Sequence, residues 1–231
     1  MKWIGRIIAW AFLFLVLAGG YFTYRGYQDY KEATENHVMQ NQAEAVRNKE
    51  GYVPLADLPE TYVNAVIAAE DKRFYKHPGI DILSIGRALF NDIRAGKMVE
   101  GGSTITQQLV KNLCFTQEKS IDRKMAEIMM ALQVEKDYSK DELLELYVNS
   151  IYFGNQFYGI GEASRGYFGV EPAQMTDSQS TILAGIPNAP SAYAWNTHPE
   201  LAKERQQKVL KSMVRQKYFT QQEADEIASQ N

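Results

Sequence analysis

Residues 101–115 read GGSTITQQLVKNLCF, and the fold class turns on how that stretch is parsed. Ile105, Leu109 and Leu113 recur at helical spacing and form one apolar stripe. Thr104, Gln108 and Lys111 fall beside it as a polar stripe. The two glycines and the hydroxyl residues after them place free backbone N–H groups at a helix start, a natural anion site. A polar stripe with one lysine is ordinarily a solvated helix face. Its uncharged amide and hydroxyl character also suits sugar or phosphate oxygens.

Working outward, the same helical signals repeat. Asp81 can cap a helix with Ile82, Ile85, Leu89 and Ile93 on one stripe, ending near Gly96. Pro59 suits the first turn of a helix carrying Val63, Val66, Ile67 and Ala69. That helix runs into Glu70 and Asp71, and Pro78-Gly79 then turns the chain. A carboxylate at a helix end facing a cleft is partly desolvated, which equips it for proton transfer. Helix persisting to Phe74 would put that ring one turn beyond Glu70. The plainer alternative is a charged helix C-terminus with His77 as a turn residue.

Downstream, Lys119 to Glu127 read KSIDRKMAE, with Arg123 and Glu127 one turn apart and Met125, Ile128, Met129 and Leu132 expected to face the core. This is either a surface ion pair or a basic cluster that receives a pyrophosphate beside a carboxylate. Ser139-x-x-Glu142, Thr176-x-x-Gln179 and Thr220-x-x-Glu223 are capping-box patterns, each opening a further helix. Alternating β-branched runs are few, so the class is mostly α.

The 231 residues are 45% hydrophobic with a formal net charge of −3, enough for a sizeable core and unlike a general nucleic-acid binder. The single cysteine, Cys114, cannot form an intrachain disulfide and reads as a small buried hydrophobe. With three histidines it forms no recognisable zinc constellation.

Ile7 to Tyr24 carries no charge, and its length of about 18 residues makes roughly 27 Å of helix, close to a bilayer's hydrocarbon thickness. Lys2 and Arg6 precede it and a mixed-charge segment follows, so the N-terminus is expected in the cytoplasm and the rest outside. A cleaved signal peptide is the competing reading. Residues 1–26 are therefore read as cytoplasmic start and transmembrane anchor, 27–50 as a polar stalk, and 51–231 as the folded domain.

The segments EDKRFYKHPG (70–79), GGSTITQQ (101–108) and RKMAE (123–127), with ELYVNSIYFG (145–154) and LAGIPNAP (183–190), resemble the family 51 peptidoglycan glycosyltransferases, over roughly residues 50 to 195. The resemblance implies a mostly α, lysozyme-like transglycosylase domain above the membrane, with a small lobe dipping toward the lipid. It implies polymerisation of lipid II onto a growing glycan strand in β-1,4 linkage, with inversion and release of undecaprenyl pyrophosphate, for cell-wall synthesis. Carried over by position, Glu70 would be the general base, and Glu127 a second essential glutamate that positions either a divalent cation or the basic residues. Lys111, Lys119 and Arg123 would clamp the pyrophosphate. Ser103, Thr104, Gln108, Asn112 and Tyr152 would line the donor groove, while Asp71, Phe74 and His77 would shape the first segment and contact the substrate. Mg²⁺ or Mn²⁺ suits phosphate oxygens, with Glu127 as the expected ligand, and no organic cofactor is implied. Expected partners are lipid II, the glycan strand, the lipid bilayer and cell-wall synthesis proteins, with no nucleic acid.

The chain ends at Asn231 without a Ser-x-x-Lys arrangement, so the monofunctional form, lacking a transpeptidase domain, is expected. Residues 94–101, RAGKMVEG, are expected to form a mobile flap over the cleft, with Met98 and Val99 touching lipid. A lytic enzyme of lysozyme-like fold and a silent membrane-anchored scaffold are the rival readings. The basic trio weighs against the first, and the presence of both glutamates against the second.

Overall fold

Side-chain caps open six of the twelve α-helices found among the described residues of the computed structural model, which describes residues 2–96, 101–116 and 118–230. The chain runs α1 (Lys2–Glu35), α2 (Val38–Arg47), α3 (Glu60–Glu70), α4 (Ile82–Ala95), α5 (Ile105–Cys114) and α6 (Ile121–Asp137). It continues through α7 (Lys140–Ser150), α8 (Ile160–Phe168), α9 (Asp177–Gly185), α10 (Pro190–Tyr193), α11 (Pro199–Arg215) and α12 (Gln221–Ser229). Among the described residues there is no strand, only an isolated bridge between Tyr152 and Tyr158. The mostly α class is as expected.

All three expected capping boxes form, at Ser139/Glu142, Thr176/Gln179 and Thr220/Glu223. A fourth, Thr104/Gln107, opens α5. Asp81 caps α4 by accepting from Ser84 N, and Gly96 closes it in the left-handed conformation. The core is assembled from α3, α5, α7 and α9. Tyr62, Ile105, Leu109, Leu143, Leu146, Tyr147 and Leu183 are fully enclosed there, and burying each such side chain contributes on the order of 2 kcal/mol.

Three local readings are resolved by the structure. First, α3 stops at Glu70, because Asp71 adopts an extended-side backbone (φ −152°, ψ 80°) and Phe74 begins a separate 3-10 turn. Second, residues 27–50 are not a free stalk. Met39, Ala43 and Val46, spaced as one helical face, bury in the main core. Third, the core face of α6 is Ala126, Met130, Ala131 and Val134, whereas Met125, Ile128 and Met129 are half-buried and Leu132 is exposed. The reason is α1, which extends beyond its apolar part and packs along α6. Gly26 lets the two backbones meet: a Cβ there would sit 2.5 Å from Asp122 O and from Met125 Cβ.

Two apolar surfaces have no partner among the described residues. The first half of α1 is exposed from Trp3 to Leu17, and the helix is long and apolar enough to cross a membrane. On α4, the expected stripe of Ile82, Ile85, Leu89 and Ile93 faces outward, Ile93 being 73% exposed, and Leu83 and Phe90 are exposed beside it. Of the expected flap, residues 97–100 lie outside the described residues.

Candidate active site

Glu70 ends α3 at the wall of a cleft of about 720 Å³, which Gln108 and Lys111 of α5, Ser103, and Arg205 of α11 also line. A second cavity of about 610 Å³ shares Gln108, Lys111, Pro187 and Asn188 with the first, and adds Asn112, Tyr152 and Tyr158. The two therefore form one groove, with Gln108 and Lys111 at its middle.

Both Glu70 oxygens are engaged. Gln108 Nε2 donates to Oε2 at 3.0 Å, and Arg205 Nη2 donates to Oε1 at 3.4 Å. The Gln108 carbonyl in turn accepts from the Tyr147 hydroxyl at 3.3 Å. The carboxylate is thus oriented while it faces the groove, the arrangement a proton acceptor needs.

Asp71 turns away behind this wall. His77 Nε2 donates to its oxygens at 3.0 and 2.9 Å, and Ile105 N donates at 3.1 Å. Asp71 therefore ties the end of α3 to the start of α5, although it also touches the first cavity. Phe74 and His77, expected around the substrate, are buried and line neither cavity. They support the wall from within: the Phe74 ring carries Lys140 Nζ 4.4 Å from its centroid. Thr104 is also a wall-builder. Its hydroxyl donates to Gly79 O at 2.6 Å and caps Gln107 N, leaving the open part of the polar stripe to Gln108 and Lys111.

The cations converge beside Lys111. Burial pushes its ammonium below the usual lysine value of 10.5, Arg123, Lys124 and Lys119 act in the same direction, and Glu127 opposes them. Glu127 is 2% exposed. One of its oxygens pairs with Arg123 and the other with Lys124 Nζ at 2.9 Å. Lys124 also donates to Ser103 Oγ at 3.0 Å, linking α6 to the glycine-rich segment. Lys119 is exposed nearby. Glu127 belongs to no group of three ligating side chains among the described residues. Since each of its oxygens already faces a cation, this donor set does not fit a protein-bound Mg²⁺ or Mn²⁺ ion. In the group that does cluster, Asp71, His77 and Asp81, both carboxylates already have partners: His77 and Ile105 N hold Asp71, and Arg73 and Ser84 hold Asp81.

Tyr152 lines the far half of the groove and lies 4.8 Å, ring to ring, from the exposed Tyr158. Lys124, Tyr158, Asn188 and Arg205 were not among the residues singled out from sequence. Lys124 had a signal, its place three residues before Glu127. Arg205 had one too, as a charged residue on the face of α11 that buries Ala202, Gln206 and Val209.

The transglycosylase family model matches residues 35–214. The chain belongs to the transglycosylase family. Its match begins within α1, in keeping with a domain that includes α2. Penicillin-binding protein 1F of Bacillus subtilis is 49% identical over 172 residues, 74% of this chain and 24% of that protein. Penicillin-binding protein 1A of Neisseria lactamica is 43% identical over 179 residues, 78% of this chain and 22% of that protein. The crystal structure of penicillin-binding protein 1A from Haemophilus influenzae aligns with 78% of this chain and 17% of its own, at 23% identity and a TM-score of 0.45. The chain thus spans about a quarter of the length of the curated relatives it matches.

Proposed function

We propose that this transglycosylase-family chain is a peptidoglycan glycosyltransferase that extends a glycan strand with lipid II. The observation that carries the reading is the groove itself: an oriented carboxylate, Glu70, shares it with Lys111, next to which Arg123 and Lys124 converge. Glu70 takes the proton of the acceptor sugar's 4-hydroxyl as that oxygen attacks the anomeric carbon of the growing strand. Undecaprenyl pyrophosphate departs from the opposite face, so an α-linked pyrophosphate becomes a β-1,4 glycosidic bond. The leaving group is already anionic and needs positive charge rather than a proton, which Lys111, Arg123, Lys124 and Lys119 supply. Glu127 holds Arg123 and Lys124 in place for that task. Gln108, Asn112 and Tyr152 line the donor half of the groove.

The exposed half of α1 spans the bilayer with its N-terminus in the cytoplasm, and the outward face of α4 rests in the outer interface. A lipid-linked donor then reaches the groove from the membrane surface. A lytic enzyme acting on neutral glycosidic oxygens has no use for the cation cluster, which favours synthesis over cleavage. Incubation with labelled lipid II tests the reading. A ladder of muramidase-sensitive strands is expected; breakdown of preformed peptidoglycan without polymer would overturn it.

A further inference from the structure

Arg205 is the one partner of Glu70 that comes from the far end of the chain, 135 residues away. Its guanidinium is seated in a specific way. Nε donates to Gly185 O at 3.2 Å while Nη2 reaches Glu70 Oε1, and the side chain is only 15% exposed. The stem passes over the α-carbon of Gly185: a Cβ there would lie 2.9 Å from Arg205 Cγ. The glycine at the end of α9 is therefore a notch through which an arginine of α11 reaches the end of α3. On the opposite side Gln108, backed by the buried Tyr147, holds the other oxygen.

We propose that Arg205 is a positioning residue for Glu70, seated by the notch at Gly185, and that together with Gln108 it fixes the carboxylate in its proton-accepting orientation. A carboxylate with one partner can swing about its last bond; one held on both oxygens by separate helices cannot, and its reactive lone pairs stay aimed into the groove. Other charged or titratable groups around Glu70 are Asp71 and Lys72 beside it, Lys111 on α5, Tyr147 on α7, Lys208 on α11, and Asp81 and Arg87 across the cleft. These remain when Arg205 is replaced, so the loss is partial.

The inference rests on Glu70 being the base, and the experiment separates the two ideas. Lipid II polymerisation by the full chain in detergent is compared for the parent, Glu70→Gln, Arg205→Ala, Arg205→Lys, Gly185→Ala, and Arg205→Ala combined with Glu70→Gln. Arg205→Ala should lower kcat about 10- to 100-fold with KM changed less than about threefold, since misorientation costs the chemical step. Arg205→Lys should recover part of the rate. Gly185→Ala should lower kcat in the same way, and Arg205→Ala should cost nothing further on top of Glu70→Gln. A change confined to KM, or a parental kcat in Arg205→Ala, would overturn the positioning role. Near-parental turnover by Glu70→Gln would instead remove the base assignment beneath it. If Arg205→Ala fails to fold, kcat and KM of Arg205→Lys and Gly185→Ala decide the matter.

Discussion

Replacing Asp71 by alanine should unfold the wall that holds Glu70, and the size of the effect can be worked from its contacts. The Asp71 carboxylate accepts from Ile105 N at 3.1 Å and from His77 Nε2 at 3.0 and 2.9 Å, all within the interior. Among the described residues His77 Nδ1 has no hydrogen-bond partner, and Asp71 is the ring's one polar contact. Truncation leaves a backbone N–H and an imidazole N–H unpaired, each costing about 1–3 kcal/mol when buried. The sum, about 2–6 kcal/mol, corresponds to a fall in Tm on the order of 10 °C for a domain of this size. Asp71→Asn keeps an acceptor for Ile105 and should cost less than half as much. Circular dichroism melts in detergent, with lipid II turnover on the same samples, provide the assay. A Tm within about 2 °C of the parent, with activity lost, would refute the structural role and make Asp71 a substrate contact.

Other predictions concern charge and lipid. Because burial lowers the Lys111 pKa from 10.5, its charge is fully present at low pH and is lost, as pH rises, before that of an ordinary lysine. The kcat/KM of the parent should therefore fall on the alkaline side below the usual lysine range, and Lys111→Arg should move that limb upward; an unmoved limb would exclude Lys111 from donor binding. A fluorophore on Phe90→Cys in nanodiscs should be quenched by lipid nitroxides, whereas one on Gln207→Cys should not. Cys114 will label poorly in this experiment, since burial pushes its thiol up to about 12. Gly26→Leu should separate α1 from α6 and lower Tm, because its side chain has no room at Asp122 and Met125; an unchanged melt would show that the close approach is not maintained in solution.

What could be read from the sequence was local. Capping boxes at Ser139, Thr176 and Thr220 and the cap at Asp81 involve residues three apart, and each formed as expected. The polar stripe of α5 was legible for the same reason, although Thr104 proved to be the cap. Faces set by distant packing were harder. The apolar residues of α6 gave the wrong core side because α1 returns to cover Met125. The outward stripe of α4 has the periodicity of a core helix, and periodicity does not say whether protein or lipid is the solvent. Phe74 and His77 sit in a segment rich in charge, yet they fill space behind the base. Arg205 reaches Glu70 across 135 residues, and only its place on a buried helix face marked it.

The central claim is that Glu70 takes the acceptor proton. Single-turnover polymerisation of lipid II by the parent and Glu70→Gln, with substrate binding measured on both, tests it most directly. The account predicts a rate at least about a hundredfold lower with binding changed only a few-fold. Near-parental rate in Glu70→Gln would contradict it.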